Sequence, residues 1–272
     1  MISHDEKISV PPRKTSTGVI RSVDKVVDIL ELLAEESRGL PLTEIARRLG
    51  LNVSSVHHLM ATLRARGIVT QDDRTKDYRI GYGLVGLVGR FVSGTDLYRA
   101  GMGPVEELRS RSIETSYLSV FHGRGLATII SLPGLRPIHV QRIRRIGQQS
   151  YHSTASGKLL LAYRSAPEIE EMIATLELSA FTANTISTRE GLLVELDGIR
   201  RCGYALDNEE DYLGIQCIGV PVFNAVGDCV AAVSIAYPTA PPERTQELIP
   251  LVLAAGGQIS SNLGASLPSP RV

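Results

Sequence analysis

The stretch from Leu42 to Leu63 constrains the fold more than any other: an apolar pattern of helical period is interrupted once, at Gly50, and then resumes on a second narrow stripe. Leu42-Thr43-Glu44-Ile45-Ala46-Arg47-Arg48-Leu49 reads as a short helix with Thr43 as N-cap, and Gly50 supplies the left-handed residue that ends it. After Leu51-Asn52, the residues Val56, Leu59, Met60 and Leu63 fall at i, i+3, i+4 and i+7, which lines one face of a second helix capped near Asn52 or Ser54. Ser54, Ser55, His58 and Thr62 occupy the other face, and Ala46 is small enough for the two helices to cross closely. Two helices joined by so tight a turn suit the DNA major groove, where a helix is held only if another braces it from behind. A helical hairpin from any small bundle shares this pattern, so the flanks have to decide.

Upstream, Val23, Val27, Leu30 and Leu33-Ala34 recur at helical spacing with Asp24, Asp28, Glu31 and Glu35 opposite, which predicts an amphipathic helix from about Val19 that Gly39 and Pro41 stop. Downstream, Ile68–Gln71 and Tyr78–Ile80 are short β-type runs around Asp72–Asp77, a hairpin signal. Helix, helix, helix and hairpin make a winged helix-turn-helix over residues 19–81, with the helix-turn-helix at 42–61. Arg74 and Lys76 then lie at the wing tip, within reach of a phosphate or an A·T-rich minor groove, and Arg64, Arg66 and Arg79 flank the same surface. No carboxylate occurs from Asn52 to Gln71, which keeps the recognition helix free of repulsion from phosphates. Residues 1–18, with Pro11, Pro12 and little apolar content, read as a mobile tail, and 267–272 as a short second one.

Residues 82–96 form a linker: Gly81-Tyr82-Gly83-Leu84-Val85-Gly86-Leu87-Val88-Gly89-Arg90-Phe91-Val92 is punctuated by glycine and apolar on more than one side. That fits a helix packed closely against other helices, or a core strand. From Leu97 onward the pattern turns to mixed α and β. Helices are expected over Leu97–Arg111, Ser156–Tyr163, Pro167–Leu176, Arg189–Cys202 and Pro242–Leu263, and strands over Ser116–Phe121, Ala127–Leu132, Ile138–Ile143, Ile215–Phe223 and Cys229–Ala236. The last two strands flank the hairpin loop Asn224–Asp228. Hairpin-like pairs of strands with helices between them indicate an α+β domain over 97–266 rather than a doubly wound parallel sheet.

Whole-chain charge names no partner, because 29 Lys and Arg residues balance 29 Asp and Glu residues. The distribution is uneven: from Thr115 to Pro167 no acidic residue occurs, while Arg124, Arg136, Arg142, Arg144, Arg145, Lys158 and Arg164 all fall there. Such blocks are solvated faces, complementary surfaces within an oligomer, or an anion-binding region. Cys202, Cys217 and Cys229, odd in number and without Cys-x-x-Cys spacing, fit neither a disulfide framework nor a structural zinc site. Absence of Trp leaves little for an aromatic surface that stacks single-stranded bases. Apolar runs such as Leu84–Val88 are far shorter than the roughly 18 residues that span a bilayer, and no signal-peptide core opens the chain, so the expected location is cytoplasmic.

Catalytic motifs fail on inspection. Gly157-Lys158 superficially matches a phosphate-binding loop, but no Gly precedes Gly157 by five residues and Leu159 stands where Ser or Thr would hold magnesium. Cys217 with His152 fits no protease pattern, and a Cys inside an apolar strand is usually an inert small hydrophobe. The acidic cluster Asp207, Glu209, Glu210 and Asp211 reads as solvated or capping rather than as a metal site. No cofactor is expected.

Arg21-Ser22-Val23, Ser54-Ser55-Val56-His57 and Tyr78-Arg79-Ile80-Gly81 resemble the corresponding segments of the IclR family of bacterial transcriptional regulators. Gly203, Asp207, Glu210, Cys217-Ile218-Gly219 and Val222-Phe223-Asn224 meet that family's C-terminal signature, and His152-Ser153-Thr154-Ala155-Ser156-Gly157-Lys158 is similar to its helix-opening segment. The resemblance implies a winged helix-turn-helix joined by a linker helix to a GAF-like effector-binding domain. It implies a homodimer or tetramer that represses a catabolic operon by binding double-stranded operator DNA and that responds to a small carboxylate effector, with no membrane partner. DNA contacts would come from Ser54, Ser55, His57, His58, Thr62, Arg64, Arg74, Lys76 and Arg79, and effector contacts from Ala155, Ser156, Asp207, Cys217 and Ser234. Two positions depart from common family patterns: His58 stands where many members carry Arg, and Ala236 where some carry a second serine. The loss of that donor favours an effector with more apolar surface.

Overall fold

Helices α1 (Arg21–Glu35), α2 (Leu42–Leu49) and α3 (Val53–Ala65) are followed by a hairpin of β1 (Val69–Gln71) and β2 (Tyr78–Ile80), paired antiparallel with Val69 opposite Ile80. The computed structural model describes residues 20–36, 38–123, 125–137, 139–140 and 150–265, and divides into two compact units between Ser93 and Gly94. Gly50 ends α2 at φ 62°, and its N–H reaches the carbonyls of Ala46 and Arg47. Without a Cβ it adopts this left-handed conformation at little cost, and α3 starts three residues on. Thr43 is not the cap: α2 begins one residue before it, behind Pro41, which has neither an N–H to satisfy nor a side chain to cap with. Asn52 stands at the N-cap of α3 as expected but makes no side-chain bond there.

The core of this unit is Ile29, Leu33, Ile45, Val56, Met60 and Val69, each essentially sealed from water. At roughly 1.5–3 kcal/mol per fully buried side chain, this cluster is the main term holding three short helices together. One expectation is overturned. Val23 and Val27 are 57% and 40% exposed, and the buried stripe of α1 runs instead through Ile29 and Leu33, with Val26 and Leu30 at its edge. Helix α4 (Gly83–Gly94) follows the wing, with Tyr82, Val85, Leu87 and Val88 exposed.

The second unit contains α5 (Asp96–Ser112), β3 (Thr115–His122), β4 (Gly125–Leu132), α6 (Ala155–Ala162), α7 (Ala166–Ala174), α8 (Arg189–Cys202), β5 (Ala205–Asn208), β6 (Ile215–Phe223), β7 (Cys229–Pro238) and α9 (Pro242–Asn262). Its strands form one antiparallel sheet of order β4-β3-β7-β6-β5, an α+β arrangement as the alternating runs imply. Because side chains alternate across a strand, Leu118, Ile218, Val220, Val233 and Ile235 share one face, packed under α5 and α9. The other face carries Cys217, Ala232 and Ala205 beneath α6, α7 and α8.

Period-2 alternation does not reveal strand β5, since Ala205-Leu206-Asp207-Asn208 is short and rich in residues disfavoured in strands. The expected strand Ile138–Ile143 falls largely outside the described residues, and residues 139–140 lie in no regular element. Arg124, Arg142, Arg144, Arg145 and both expected tails also lie outside them.

Candidate functional site

On the N-terminal unit, the face of α3 opposite its buried stripe presents Ser54, His57, His58 and Thr62 exposed and Ser55 half-buried. With no side chain capping α3 and no acid in its first turn, the first-turn amides remain available to an anion. Thr62 Oγ1 donates to the His58 carbonyl at 3.1 Å, so its hydroxyl proton is engaged within the helix. Arg64 reaches the wing strand, donating to Gln71 Oε1 at 2.9 Å, and Gln71 in turn donates to the Lys76 carbonyl at 3.0 Å.

Asp72 shapes the wing tip: its Oδ1 accepts the N–H groups of Arg74 and Thr75, both at 2.9 Å, which holds its carboxyl below the usual carboxylate range. Lys76 closes the turn at φ 63°, leaving the side chains of Arg74 and Lys76 exposed. Arg79 donates through Nε to the Arg38 carbonyl at 2.9 Å and so sits against the α1–α2 connection rather than at the tip. Among the described residues, no carboxylate forms a salt bridge with Arg64, Arg74, Lys76 or Arg79, whereas Arg47 and Arg48 of α2 are spent on Glu44 and Glu36.

The second unit encloses a cavity of about 70 Å³ between the N-terminus of α6 and the sheet. At roughly 10–15 Å³ per water on this measure, it has room for a few waters or a small organic molecule. The register explains its walls: Asp207, Cys217 and Ala236 lie in one cross-strand row, and Gly219, Ser234 and Tyr117 in the next on the same face. The family resemblance implies effector contacts from Ala155, Ser156, Asp207, Cys217 and Ser234, and all five line this cavity. It did not name Tyr117, Thr154, Asp211, Tyr212 and Ile215, which line it too. Thr154 had a readable signal as a threonine before a helical run. The others come from long-range pairing.

Close approach of α6 depends on a missing side chain. A Cβ at Gly219 would lie 3.3 Å from the Ala155 carbonyl carbon and 3.4 Å from the Ser156 nitrogen. Thr154 Oγ1 accepts from the Gly157 N–H, leaving the Ala155 and Ser156 amides without a partner among the described residues. Ser156 Oγ donates to Ser234 Oγ at 2.9 Å and ties the helix start to β7.

The acidic cluster is not solvated as expected: Asp207, Glu210 and Asp211 are all buried, although the capping half of that reading holds. Asp207 Oδ1 accepts the N–H groups of Glu210 at 2.8 Å and Asp211 at 3.3 Å, and burial pushes its carboxyl up to about 7. Ser153 Oγ donates to Asp211 Oδ1 at 2.9 Å. Lys158, wholly buried, spans Glu195 at 2.8 Å and Glu210 at 2.5 Å, so its charge is committed behind the cavity. His152 Nε2 donates to the Ser179 carbonyl at 3.1 Å, and burial lowers its pKa, keeping the ring neutral. Burial raises the Cys229 thiol to about 11, which makes it inert as a nucleophile near neutral pH. Among the described residues no group of three or more His, Cys, Asp or Glu side chains is arranged to hold a metal ion, and no helix is long and apolar enough to cross a membrane.

Together with two family matches, the winged helix-turn-helix ahead of a cavity-bearing α+β unit makes the chain a DNA-binding transcriptional regulator rather than an enzyme. Residues 22–73 match the IclR helix-turn-helix domain, and residues 89–261 match the bacterial transcriptional regulator IclR C-terminal domain. The chain belongs to the IclR family. It is 33% identical over 248 residues to the HTH-type transcriptional regulator KdgR of Escherichia coli (strain K12), covering 90% of this chain and 93% of that relative. The crystal structure of Thermotoga maritima IclR superposes with a TM-score of 0.72 at 30% identity, covering 90% of this chain and 99% of that one. An IclR homologue from Microbacterium hydrocarbonoxydans, solved as a complex with 4-hydroxybenzoate, shares the fold with a TM-score of 0.77 at 22% identity, over 89% of this chain and 98% of that one.

Proposed function

We propose that this regulator binds a two-fold symmetric operator of a catabolic operon, represses it, and changes operator affinity when a small carboxylate occupies the cavity of its C-terminal unit. The cavity carries this reading, because free amides at a helix start face a wall of hydroxyl, carboxyl and apolar groups, a combination that fixes one anionic end and accommodates an organic body. The ligand-bound homologue supports it. Contacts to DNA are assigned to Ser54, Ser55, His57, His58 and Thr62 on α3 and to Arg64, Arg74, Lys76 and Arg79 around the wing, with Arg74 and Lys76 exposed at its tip.

A symmetric dimer is the assembly proposed, alone or paired into a tetramer and acting in the cytoplasm. The N-terminal unit exposes two apolar strips, Ile20-Val23-Val27 on α1 and Val85-Val88 on α4, of the kind a second copy covers. The linkage is thermodynamic: an effector shifts operator affinity by its differential affinity for the DNA-competent and DNA-incompetent arrangements.

Titration of promoter DNA with the full-length protein, with and without a panel of organic acids, tests the reading. Salt-sensitive, sequence-selective binding that an acid alters is the expected result, and its absence at every promoter sequence would count against it. Replacing Arg74 and Lys76 together with Ala is expected to flatten the logarithmic salt slope by roughly one to two units; an unchanged slope removes them from the interface. Ser234→Leu fills the cavity and breaks the bond to Ser156, so it should abolish the acid response while leaving operator affinity within twofold. A normal response from that variant would relocate the site.

A further inference from the structure

We propose that Thr185, which lies outside the cavity on the connection between α7 and α8, is a positioning residue for the effector: its hydroxyl holds the turn that sets Asp211 and Tyr212 into the cavity wall. The inference rests on the reading of this cavity as the effector site and adds to it the residue that fixes the shape of one wall.

Most of the cavity lining belongs to strands or to the start of α6, where regular hydrogen bonding fixes the backbone. Asp211 and Tyr212 are different, because they sit in the turn between β5 and β6. That turn contains Glu209 at φ 59°, a left-handed conformation that a residue with a side chain keeps only where its surroundings enforce it.

The enforcement comes from the α7–α8 connection, three side chains of which take three consecutive carbonyls of the turn. Asn184 Nδ2 donates to the Asn208 carbonyl at 3.0 Å, Thr182 Oγ1 to that of Glu209 at 2.7 Å, and Thr185 Oγ1 to that of Glu210 at 2.6 Å. Thr185 is the centre of this set. It is buried, and its oxygen also accepts the N–H groups of Phe181 at 3.0 Å and Thr182 at 2.9 Å, so one hydroxyl orders the connection and grips the turn at once. From the sheet side, Asp207 Oδ1 holds the Glu210 and Asp211 amides. The turn is thus held by its N–H groups from β5 and by its carbonyls from the connection. The connection is tied in turn to the segment before α6, where His152 Nε2 donates to the Ser179 carbonyl and the Phe181 ring lies 5.5 Å from the imidazole. None of its described residues lines the cavity, so any effect it has on a ligand passes through what it holds.

The two wall residues depend on this grip to different degrees. Asp211 has a second anchor in Ser153, which donates to its Oδ1 at 2.9 Å. Tyr212 follows the backbone of the turn, its carbonyl accepting the Ile215 N–H at 3.3 Å. Removing the Thr185 hydroxyl leaves the Glu210 carbonyl with only a long 3.4 Å contact from Thr182 and takes an acceptor from two amides of the connection. A buried carbonyl so deprived regains a partner by moving toward water, Glu209 loses the support of its left-handed conformation, and Tyr212 leaves the wall with the turn.

Calorimetry of the full-length protein with acetate, benzoate, 4-hydroxybenzoate and lactate, beside amide hydrogen exchange without any acid, tests this. Thr185→Val, nearly the same size without the hydroxyl, should weaken binding of whichever acid the wild type binds tightest by about tenfold or more, speed exchange at the Glu210 and Asp211 amides, and leave operator affinity within twofold. Thr185→Ser keeps the hydroxyl and should restore acid affinity to within about threefold of wild type. Thr188→Val controls for general loosening: it removes the cap on the Gly191 N–H from the end of the same connection without touching the turn, and should leave acid affinity unchanged. Should Thr185→Val not fold, Asn184→Ala takes its place, since that exposed side chain gives up only the bond to the Asn208 carbonyl, with an expected loss of about threefold. Wild-type acid affinity in Thr185→Val, or in Asn184→Ala where that replaces it, or an equal loss in Thr188→Val, overturns the proposal while leaving the effector site standing. If the wild type binds none of the acids although operator binding is intact, the effector reading fails and the proposal with it.

Discussion

Lys158→Met is expected to destabilise the C-terminal unit by about 3–5 kcal/mol, read as a lower urea midpoint with an unchanged slope. Lys158 is wholly buried on α6, with Glu195 and Glu210 on its ammonium. Deleting the cation leaves two carboxylates facing each other in a partly desolvated site, and breaking a buried pair in this way costs about that much even where the intact pair contributes little net stability. The sign follows from which partner is left behind. Burial already raises the Glu210 carboxyl, and the variant raises it further, so the deficit should be full near neutral pH and shrink as acid protonates the orphaned groups. Adding Glu195→Gln and Glu210→Gln to Lys158→Met removes both uncompensated charges and should recover most of the loss. An equal midpoint for wild type and Lys158→Met would mean the pair is solvated in practice. The effect should also reach the cavity, since the Glu210 N–H that Lys158 helps to position is one of the two donors holding Asp207.

Local signals were legible and long-range ones were not. Gly50 could be read because the left-handed end of α2 depends on its own missing side chain, and the hairpin loop Asn224–Asp228 for a similar reason: Asn224 Oδ1 accepts from the Val226 and Asp228 amides within the loop itself. Periodicity puts Val23 and Val27 on the buried stripe of α1 because it reports that a face is apolar without saying what covers it. That helix carries two apolar strips, one against the core and one exposed. The burial of Asp207, Glu210 and Asp211 was illegible for a different reason. Acidic residues after a turn are usually solvated, and only the pairing of β5 with β6 beneath α6 withdraws them from water. The five effector residues came together because the resemblance supplied positions that no local pattern links, while Tyr212 and Asp211 lay beyond it.

Gly157→Ala should cost about 3 kcal/mol or more and abolish the response to acid, although glycine-to-alanine changes inside helices ordinarily stabilise by about 0.5–1 kcal/mol. Here a Cβ would lie 2.2 Å from the Tyr151 carbonyl oxygen and 2.5 Å from its Cα, both backbone atoms that no rotamer change moves aside. Tyr151 is held in turn: its phenol donates to the Met172 carbonyl at 3.3 Å and its ring meets Phe121 edge-on. The helix start has to yield instead. That movement disturbs the Thr154 cap on the Gly157 N–H and draws Ser156 away from Ser234, so the amides that would receive a carboxylate lose their aim. Gly198→Ala in α8 is the matched control, because a Cβ there meets nothing within 4 Å; it should raise the melting temperature slightly and leave the acid response unchanged. Equal behaviour of the two variants would refute the packing account. The Gly157-Lys158 pair that superficially matches a nucleotide-binding loop is thus explained without phosphate: the glycine admits the Tyr151 carbonyl and the lysine neutralises one buried carboxylate, Glu210, and one half-buried, Glu195.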